Sequence, residues 1–261
     1  MTADAGAEFQ KLVDVVAELR GEQGCPWDRK QTHESLKGYA IEETYEVVDA
    51  IDQGSMPKLK EELGDFMLQA LLHAEIAREN GHFDMADVCR TIREKLIRRH
   101  PHVFGEVEVS GVDDVLHNWE EIKSAEPGYE DRESVLDGVP NSLPALIRAT
   151  EISKRASKIG FEWPDISGVL DKLREESDEL SAAIEGGDKD ETRHEIGDLL
   201  FVIVNIARFL DIDPEESLRE MLKRFSGRFR LIEERAKSSG RKVSDMTLEE
   251  MDAVWDEAKG K

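Results

Sequence analysis

The chain has little sulfur: two cysteines, Cys25 and Cys89, among 261 residues. Neither their number nor their spacing gives a disulfide framework or a cysteine zinc site. Cys25 sits in a CPWD string and reads as a loop-packing residue. No partner with suitable spacing marks it as a nucleophile. Long apolar runs are also missing. The longest, residues 199–206, contains Asn205 and falls far short of the roughly 18 apolar residues of a membrane span. Residues 1–10 show no basic stretch followed by an apolar one, so no signal peptide is read there. A cytoplasmic location is expected. Positive charge is scarce: 35 Lys and Arg stand against 58 Asp and Glu, a net charge of -23. That disfavours nucleic-acid polymers and anionic membranes as partners. A smaller polyanion remains possible if metal ions and a few local cations offset the field. No G-x-x-x-x-G-K-[ST] string is present, which excludes a P-loop mechanism.

What remains is helix-forming material. Aromatics make up 6% of the chain and hydrophobic residues 39%, with abundant Glu, Leu, Lys and Arg. Apolar spacing predicts helices over 6–20, 34–52, 57–79, 84–99, 112–123, 145–158, 166–185, 189–209, 214–236 and 247–258, and no strands. Several starts carry their own signals. Asp213-Pro214-Glu215-Glu216 is a cap followed by Pro in the first turn, and Asp188 with Glu191 is a similar start. Residues 124–144 hold three prolines, two glycines and several turn formers. They are read as a linker between an N-terminal domain, 1–123, and a C-terminal domain, 145–261.

The two halves repeat one another. IEETYEVVDAIDQG matches LREESDELSAAIEGG, and LKEELGDFMLQALLHAE matches TRHEIGDLLFVIVNIAR. Glu43, Glu46, Glu62, Gly64 and Asp65 recur as Glu176, Glu179, Glu195, Gly197 and Asp198, each displaced by 133 positions. Trp27-Asp28 and Trp163-Pro164-Asp165 precede the two blocks.

Residues three apart share a helix face, so Glu43 projects with Glu46 and Glu62 with Asp65. The midpoint of Glu46 and Glu62, and of Glu43 and Asp65, is Gly54 in both cases. In the second half both midpoints fall on Gly187. An antiparallel hairpin folded about each glycine sets Glu46 level with Glu62, Glu43 with Asp65, Glu179 with Glu195 and Glu176 with Asp198. Four facing carboxylates repel one another, and burial disfavours their ionised forms. A divalent cation resolves both problems. Oxygen-only ligation suits Mg²⁺, or Mn²⁺ in its place, rather than Zn²⁺. Gly64 and Gly197 cost about 1 kcal/mol each relative to Ala in a helix interior. They suggest close approach of a helix or ligand, or else a packing role. Asn205 lies on the face of Asp198 inside an apolar run and is placed to position a water, a metal or a sugar. Taken alone, such an amide is more often a satisfied core group.

These residues carry a resemblance. GCPWDRKQTHESLKGYAIEETYEVVDAI, with EELGD and REKLIRRHPHVFGE, is similar to the MazG family of nucleoside triphosphate pyrophosphohydrolases. GFEWPDISGVLDKLREESDEL and HEIGDLLFVIVNIAR resemble that family's C-terminal domain. The likeness implies an all-α fold, a tandem of two helical-bundle domains each built on a metal-binding helix hairpin, and a homodimer. It implies Mg²⁺-dependent hydrolysis of NTPs and dNTPs to monophosphate and pyrophosphate, by attack of water at the α-phosphorus. The carboxylates alone suit attack at the β or γ position equally well. Carried over residue by residue, Glu176, Glu179, Glu195 and Asp198 are ligands, and Lys172 contacts phosphate. Arg224, where the family usually has Lys, and Arg228 neutralise phosphate oxygens. Trp255 contacts the nucleotide. Glu175 or Glu179 is the candidate proton acceptor.

The halves are unlike around these clusters. Lys172 corresponds to Tyr39 and Asn205 to Leu72, whereas Lys95 and Arg99 align with Arg224 and Arg228 at an offset of 129. His100 and His102 read as turn or helix-end residues. The second half is therefore expected to be the main catalyst. Two other readings stand beside this one: a non-enzymatic helical interaction module with structural metal sites, and an all-α hydrolase selective for one nucleotide such as dUTP or dCTP.

Overall fold

The computed structural model describes residues 4–126 and 133–259. The chain divides into two compact units between residues 130 and 131. That division falls inside the 124–144 segment read as a linker, of which residues 127–132 lie outside the described residues. Every regular element among the described residues is helical. No helix among them is long and apolar enough to cross a membrane.

The first unit comprises α1 (Ala5–Arg20), a short 3₁₀ turn (Asp28–Lys30), α2 (Lys37–Asp52), α3 (Met56–Glu79), α4 (Met85–Arg99), α5 (Pro101–Phe104) and α6 (Val112–Ser124). Its core gathers Val16, Leu36, Leu71, Leu72 and Ile76, with Phe9, Leu12, Val13, Leu68 and Met85 packed around them. Arg20, at the end of α1, ties this core to the loop that follows. Its Nε and Nη2 donate to the Glu79 carboxylate at 2.9 and 2.7 Å, and its Nη1 donates to the carbonyl of Gln31 at 3.2 Å. A bidentate, charge-assisted pair of this kind fixes orientation as well as position.

The second unit comprises α7 (Ala145–Lys158), α8 (Ile166–Gly186), α9 (Lys189–Phe209), α10 (Pro214–Ser238), a 3₁₀ turn (Val243–Asp245) and α11 (Leu248–Lys259). Val169, Val202, Val204, Ile232, Ala236 and Val254 are buried.

Both hairpins turn where the sequence centres them. Gly54 and Gly187 adopt left-handed φ of 63° and 71°, a conformation that glycine reaches without the clash a Cβ brings. Each following helix is capped at once. Ser55 Oγ accepts from Lys58 N at 3.4 Å, and Asp188 Oδ1 accepts from Asp190 N and Glu191 N at 3.0 and 3.2 Å. Asp213 caps α10 in the same way, with Pro214 in its first turn. The α2–α3 and α8–α9 hairpins are thus specified locally, by a glycine exit and a polar entry.

Candidate metal centres and nucleotide contacts

In the second unit, α8 brings Glu175, Glu176 and Glu179 together, and α9 adds Glu195 and Asp198. Two sets of carboxylate oxygens each lie within 4.8 Å of one another: Glu175, Glu176 and Glu179, and Glu176, Glu195 and Asp198. Glu176 belongs to both. It is 4% exposed, and Lys172 Nζ stands 2.6 Å from its Oε1 and 2.6 Å from Glu175 Oε1. Glu195 is also buried, and its Oε2 has no hydrogen-bond partner among the described residues. Burial raises the Glu195 pKa, and the charges of Glu179, Glu176 and Asp198 raise it further. A buried carboxylate oxygen without a donor is costly. The group is built for a counter-charge that Lys172 supplies only to its neighbour.

The first unit assembles Glu43, Glu62 and Asp65 with oxygens within the same 4.8 Å. Glu46 stands beside them, acting on Glu62 by its charge and a hydrogen bond. Burial raises the pKa of both Glu43 and Glu62, and the facing carboxylates add to it. Among the described residues no lysine is paired with this cluster, and the charge of Lys58 on α3 only offsets part of the rise at Glu62. Tyr39, at the position of Lys172, packs edge-on against Trp27, ring centroids 6.0 Å apart. The donor chemistry of both clusters fits Mg²⁺ or Mn²⁺: carboxylate oxygens alone, on two rigid helices. A Cβ built on Gly64 or Gly197 meets no atom within 4 Å. The close approach expected there is therefore not made within either helix's own unit.

The other candidates fall into separate groups. Arg228 Cζ lies 5.4 Å from the centroid of the Trp255 ring, a cation–π pair between α10 and α11. Phe225 braces the same ring at 5.0 Å. Arg224 pairs with Glu220 at 3.3 Å on its own helix. Neither arginine is paired with the cluster carboxylates among the described residues. Asn205, read as a candidate contact or as a satisfied core amide, lies inside the unit. It is 3% exposed. Its Oδ1 accepts from Ser153 Oγ at 2.5 Å and its Nδ2 donates to the Phe201 carbonyl at 2.9 Å. Arg208 Nε donates to the same Ser153 oxygen at 2.6 Å, and Arg208 pairs with Glu162. Both ends of the amide are engaged inside the unit, so Asn205 holds α9 to α7. The match with Leu72, a core residue of the first unit, is the sequence signal that pointed to this inward role.

Sequence reasoning also missed Trp119. Arg99, aligned with Arg228, has its Cζ 4.8 Å from the centroid of the Trp119 ring. The signal was present: Trp119-Glu120-Glu121-Ile122-Lys123 and Trp255-Asp256-Glu257-Ala258-Lys259 share one Trp-acid-Glu-x-Lys string, 136 positions apart.

Comparison with known proteins accounts for both halves. The MazG nucleotide pyrophosphohydrolase domain matches residues 31–104 and again 166–230. All nine of these carboxylates fall within the two matches, while Trp119 and Trp255 fall outside them. The nucleoside triphosphate pyrophosphohydrolase/pyrophosphatase MazG of Thermotoga maritima is 46% identical over 257 residues, 98% of either chain. The nucleoside triphosphate pyrophosphohydrolase of Escherichia coli K12 is 40% identical over 255 residues, 97% of either chain. The uncharacterized protein YabN of Bacillus subtilis is 49% identical over 253 residues, 97% of this chain and 52% of its own length. A domain matched twice, with relatives that align from end to end, places this chain in the MazG nucleotide pyrophosphohydrolase family.

Proposed function

We propose that the protein hydrolyses nucleoside triphosphates, ribo and deoxy alike, to the monophosphate and pyrophosphate, with Mg²⁺ held by the second unit. The observation that carries this reading is Glu176, buried, shared by two carboxylate sets and beside a Glu195 oxygen that has no donor among the described residues. Glu176, Glu179, Glu195 and Asp198 would hold the metal, and Mn²⁺ could replace it. Bound there, the ion supplies Lewis-acid polarisation of a phosphoryl group and a water of lowered pKa.

The chain's own residues do the rest. Lys172 neutralises Glu176 before substrate arrives and is within reach to accompany a phosphate oxygen afterwards. Arg224 and Arg228 balance charge on the departing pyrophosphate. Trp255, already stacked by Arg228, offers a face to the base or sugar. The oxygen of water forms the new bond to the α-phosphorus as the bond to the bridging oxygen breaks. The proton lost by water passes to Glu175 or Glu179, both exposed, and pyrophosphate leaves. The first unit keeps a carboxylate set without the lysine and acts as the weaker site. A homodimer in the cytoplasm completes the reading. The exposed Ile196, Leu200, Phe201 and Ile203 on α9 supply apolar surface for a second copy.

The test is incubation with Mg²⁺ and a panel of NTPs and dNTPs, followed by phosphorus NMR. Pyrophosphate with monophosphate is expected. Orthophosphate with diphosphate would rule out attack at the α-phosphorus. Absence of turnover would favour an interaction module, and turnover of one nucleotide only would favour a selective hydrolase.

A further inference from the structure

His33 and His73 meet edge to edge in the first unit. Their Nδ1 atoms lie 2.8 Å apart, the ring planes are parallel to within 3°, and the centroids are 5.1 Å apart. Parallel planes can be no farther apart than that nitrogen contact, which is closer than the roughly 3.5 Å at which stacked carbon atoms touch. The rings are therefore not stacked face on face. The centroid distance matches the nitrogen contact plus the two ring radii, so the rings share one plane and an N–H···N hydrogen bond joins them. One Nδ1 carries the proton and the other offers its lone pair.

The bond spans two elements. His73 is half-buried on α3, between the buried Leu72 and Ala74. His33 is exposed, in residues 31–36, which lead from the 3₁₀ turn into α2. That stretch is organised within itself: Thr32 N donates to Ser35 Oγ at 3.0 Å, and Ser35 N donates to Thr32 Oγ1 at 3.1 Å. Arg20 holds one end through the Gln31 carbonyl, and Leu36 anchors the other in the core. Between those ends, His33 ties the stretch to α3. The charged side chains nearest in the chain are paired elsewhere: Glu34 with Lys37, Glu75 with Arg78, and Glu79 of α3 with Arg20 of α1. Of the described residues, His33 is the one whose charge acts on His73.

With both rings neutral, one proton lies between the facing nitrogens. A first added proton goes to an outer Nε2 and leaves that hydrogen bond in place, now charge-assisted. A second puts N–H groups on both facing nitrogens and a positive charge on each ring. No lone pair then remains to accept, and the contact turns repulsive. Burial and the charge of His33 both hold the His73 pKa below its ordinary 6.5, so the closed pair resists that second proton until the pH falls below this value.

We propose that His33 and His73 form a proton-operated latch, closed when at most one of the two rings is charged and open when both are, and that opening frees residues 31–36 from α3. Arg20 and Leu36 keep hold of the ends, so mild acid loosens the entry to α2, the helix of Glu43 and Glu46, without unfolding the unit. The latch needs neither metal nor nucleotide.

Ring ¹⁵N NMR of the full-length chain, with the two signals assigned from His33→Ala and His73→Ala, tests the closed state. At about pH 8 one ring is expected as the Nδ1–H tautomer and the other as Nε2–H. Both rings as Nε2–H would leave no proton between them and overturn the proposal. Amide hydrogen exchange over residues 31–36, corrected for the intrinsic pH dependence of exchange, tests the opening. Protection in the parent is expected to fall about five- to tenfold between pH 8 and pH 5, the scale of one lost hydrogen bond. In His33→Ala it should be low already at pH 8 and change little. Equal protection of the parent at both pH values, or an equal fall in His33→Ala, overturns the latch. Should His73→Ala not fold, the exposed His33→Ala assigns its own ring and carries the exchange comparison.

Discussion

Lys172 Nζ is equidistant from two carboxylates, 2.6 Å from Glu175 and 2.6 Å from Glu176. The hydrogen bonds it donates to these carboxylates hold its pKa above the ordinary lysine value, so the ammonium is fixed in its charged form. It stands where a metal cation would otherwise be drawn to Glu176. Lys172→Met removes both a competitor for the metal and a cation for the substrate. Mg²⁺ binding without nucleotide should tighten, while kcat/KM for triphosphate falls about 10- to 100-fold, the scale of a hydrogen bond to a charged group. Calorimetric Mg²⁺ titration and steady-state kinetics read the two effects separately. Weaker Mg²⁺ binding with unchanged kcat/KM would reduce Lys172 to a structural ion pair.

The same lysine makes the two units unequal. In the first unit Glu43, Glu62 and Asp65 come together with Tyr39 in its place. Glu176→Ala should lower triphosphate hydrolysis at least about a hundredfold, beyond the effect of losing a supporting contact of a metal site. Glu43→Ala should leave most of it. Pyrophosphate-release assays on the two variants decide the matter, and the reverse order would exchange the roles of the units.

Much of this was readable before any coordinates. The spacing of carboxylates about Gly54 and Gly187 reports a hairpin because helix period and turn position are local properties. Helices such as 145–158 and 189–209 have the bounds their apolar spacing predicts. Asn205 was harder, since its spacing from Asp198 places it on the ligand face. The partner that turns it inward, Ser153, lies 52 positions away on another helix. Glu126 was hidden for the same reason. Its pairing with Arg98 and Arg99 joins residues 28 and 27 positions apart, and no periodicity reports a contact of that kind. Trp119 carried a signal in its repeated string, but the string lies outside the more conspicuous acidic blocks.

The Ser153–Asn205–Arg208 network gives a prediction about stability. Ser153→Ala leaves the Asn205 carbonyl without its donor in a buried place, which costs about 1–3 kcal/mol. Asn205→Leu alone leaves the Ser153 hydroxyl without an acceptor and should also destabilise. The double substitution removes both polar partners and restores the leucine that the first unit carries at Leu72. It should be less destabilising than the sum of the two single changes, as expected when contacting groups share one interaction. Urea unfolding of the three variants measures the cycle. Strict additivity would show that the hydrogen bond contributes nothing and that the residues act independently.

Glu126 ties stability to pH with a definite sign. Hydrogen bonds from Arg99 and then Arg98 lower its pKa from the ordinary 4.5 to about 2. A carboxylate whose pKa is depressed by folding stabilises the fold wherever it is ionised in both states, which is above 4.5. Between 4.5 and about 2 the unfolded chain takes up the proton first, and the advantage shrinks. Below about 2 both states are protonated and it is gone. Glu126→Gln lacks the titration altogether. The parent should therefore melt above Glu126→Gln by a constant margin from pH 7 to about 5. That margin should narrow steadily as the pH falls further and close near pH 2. Thermal melts across this range, compared at each pH, isolate the contribution, because the Arg20–Glu79 pair titrates alike in both proteins. A margin that survives undiminished at pH 2 would mean that Glu126 stabilises the first unit by packing rather than by charge.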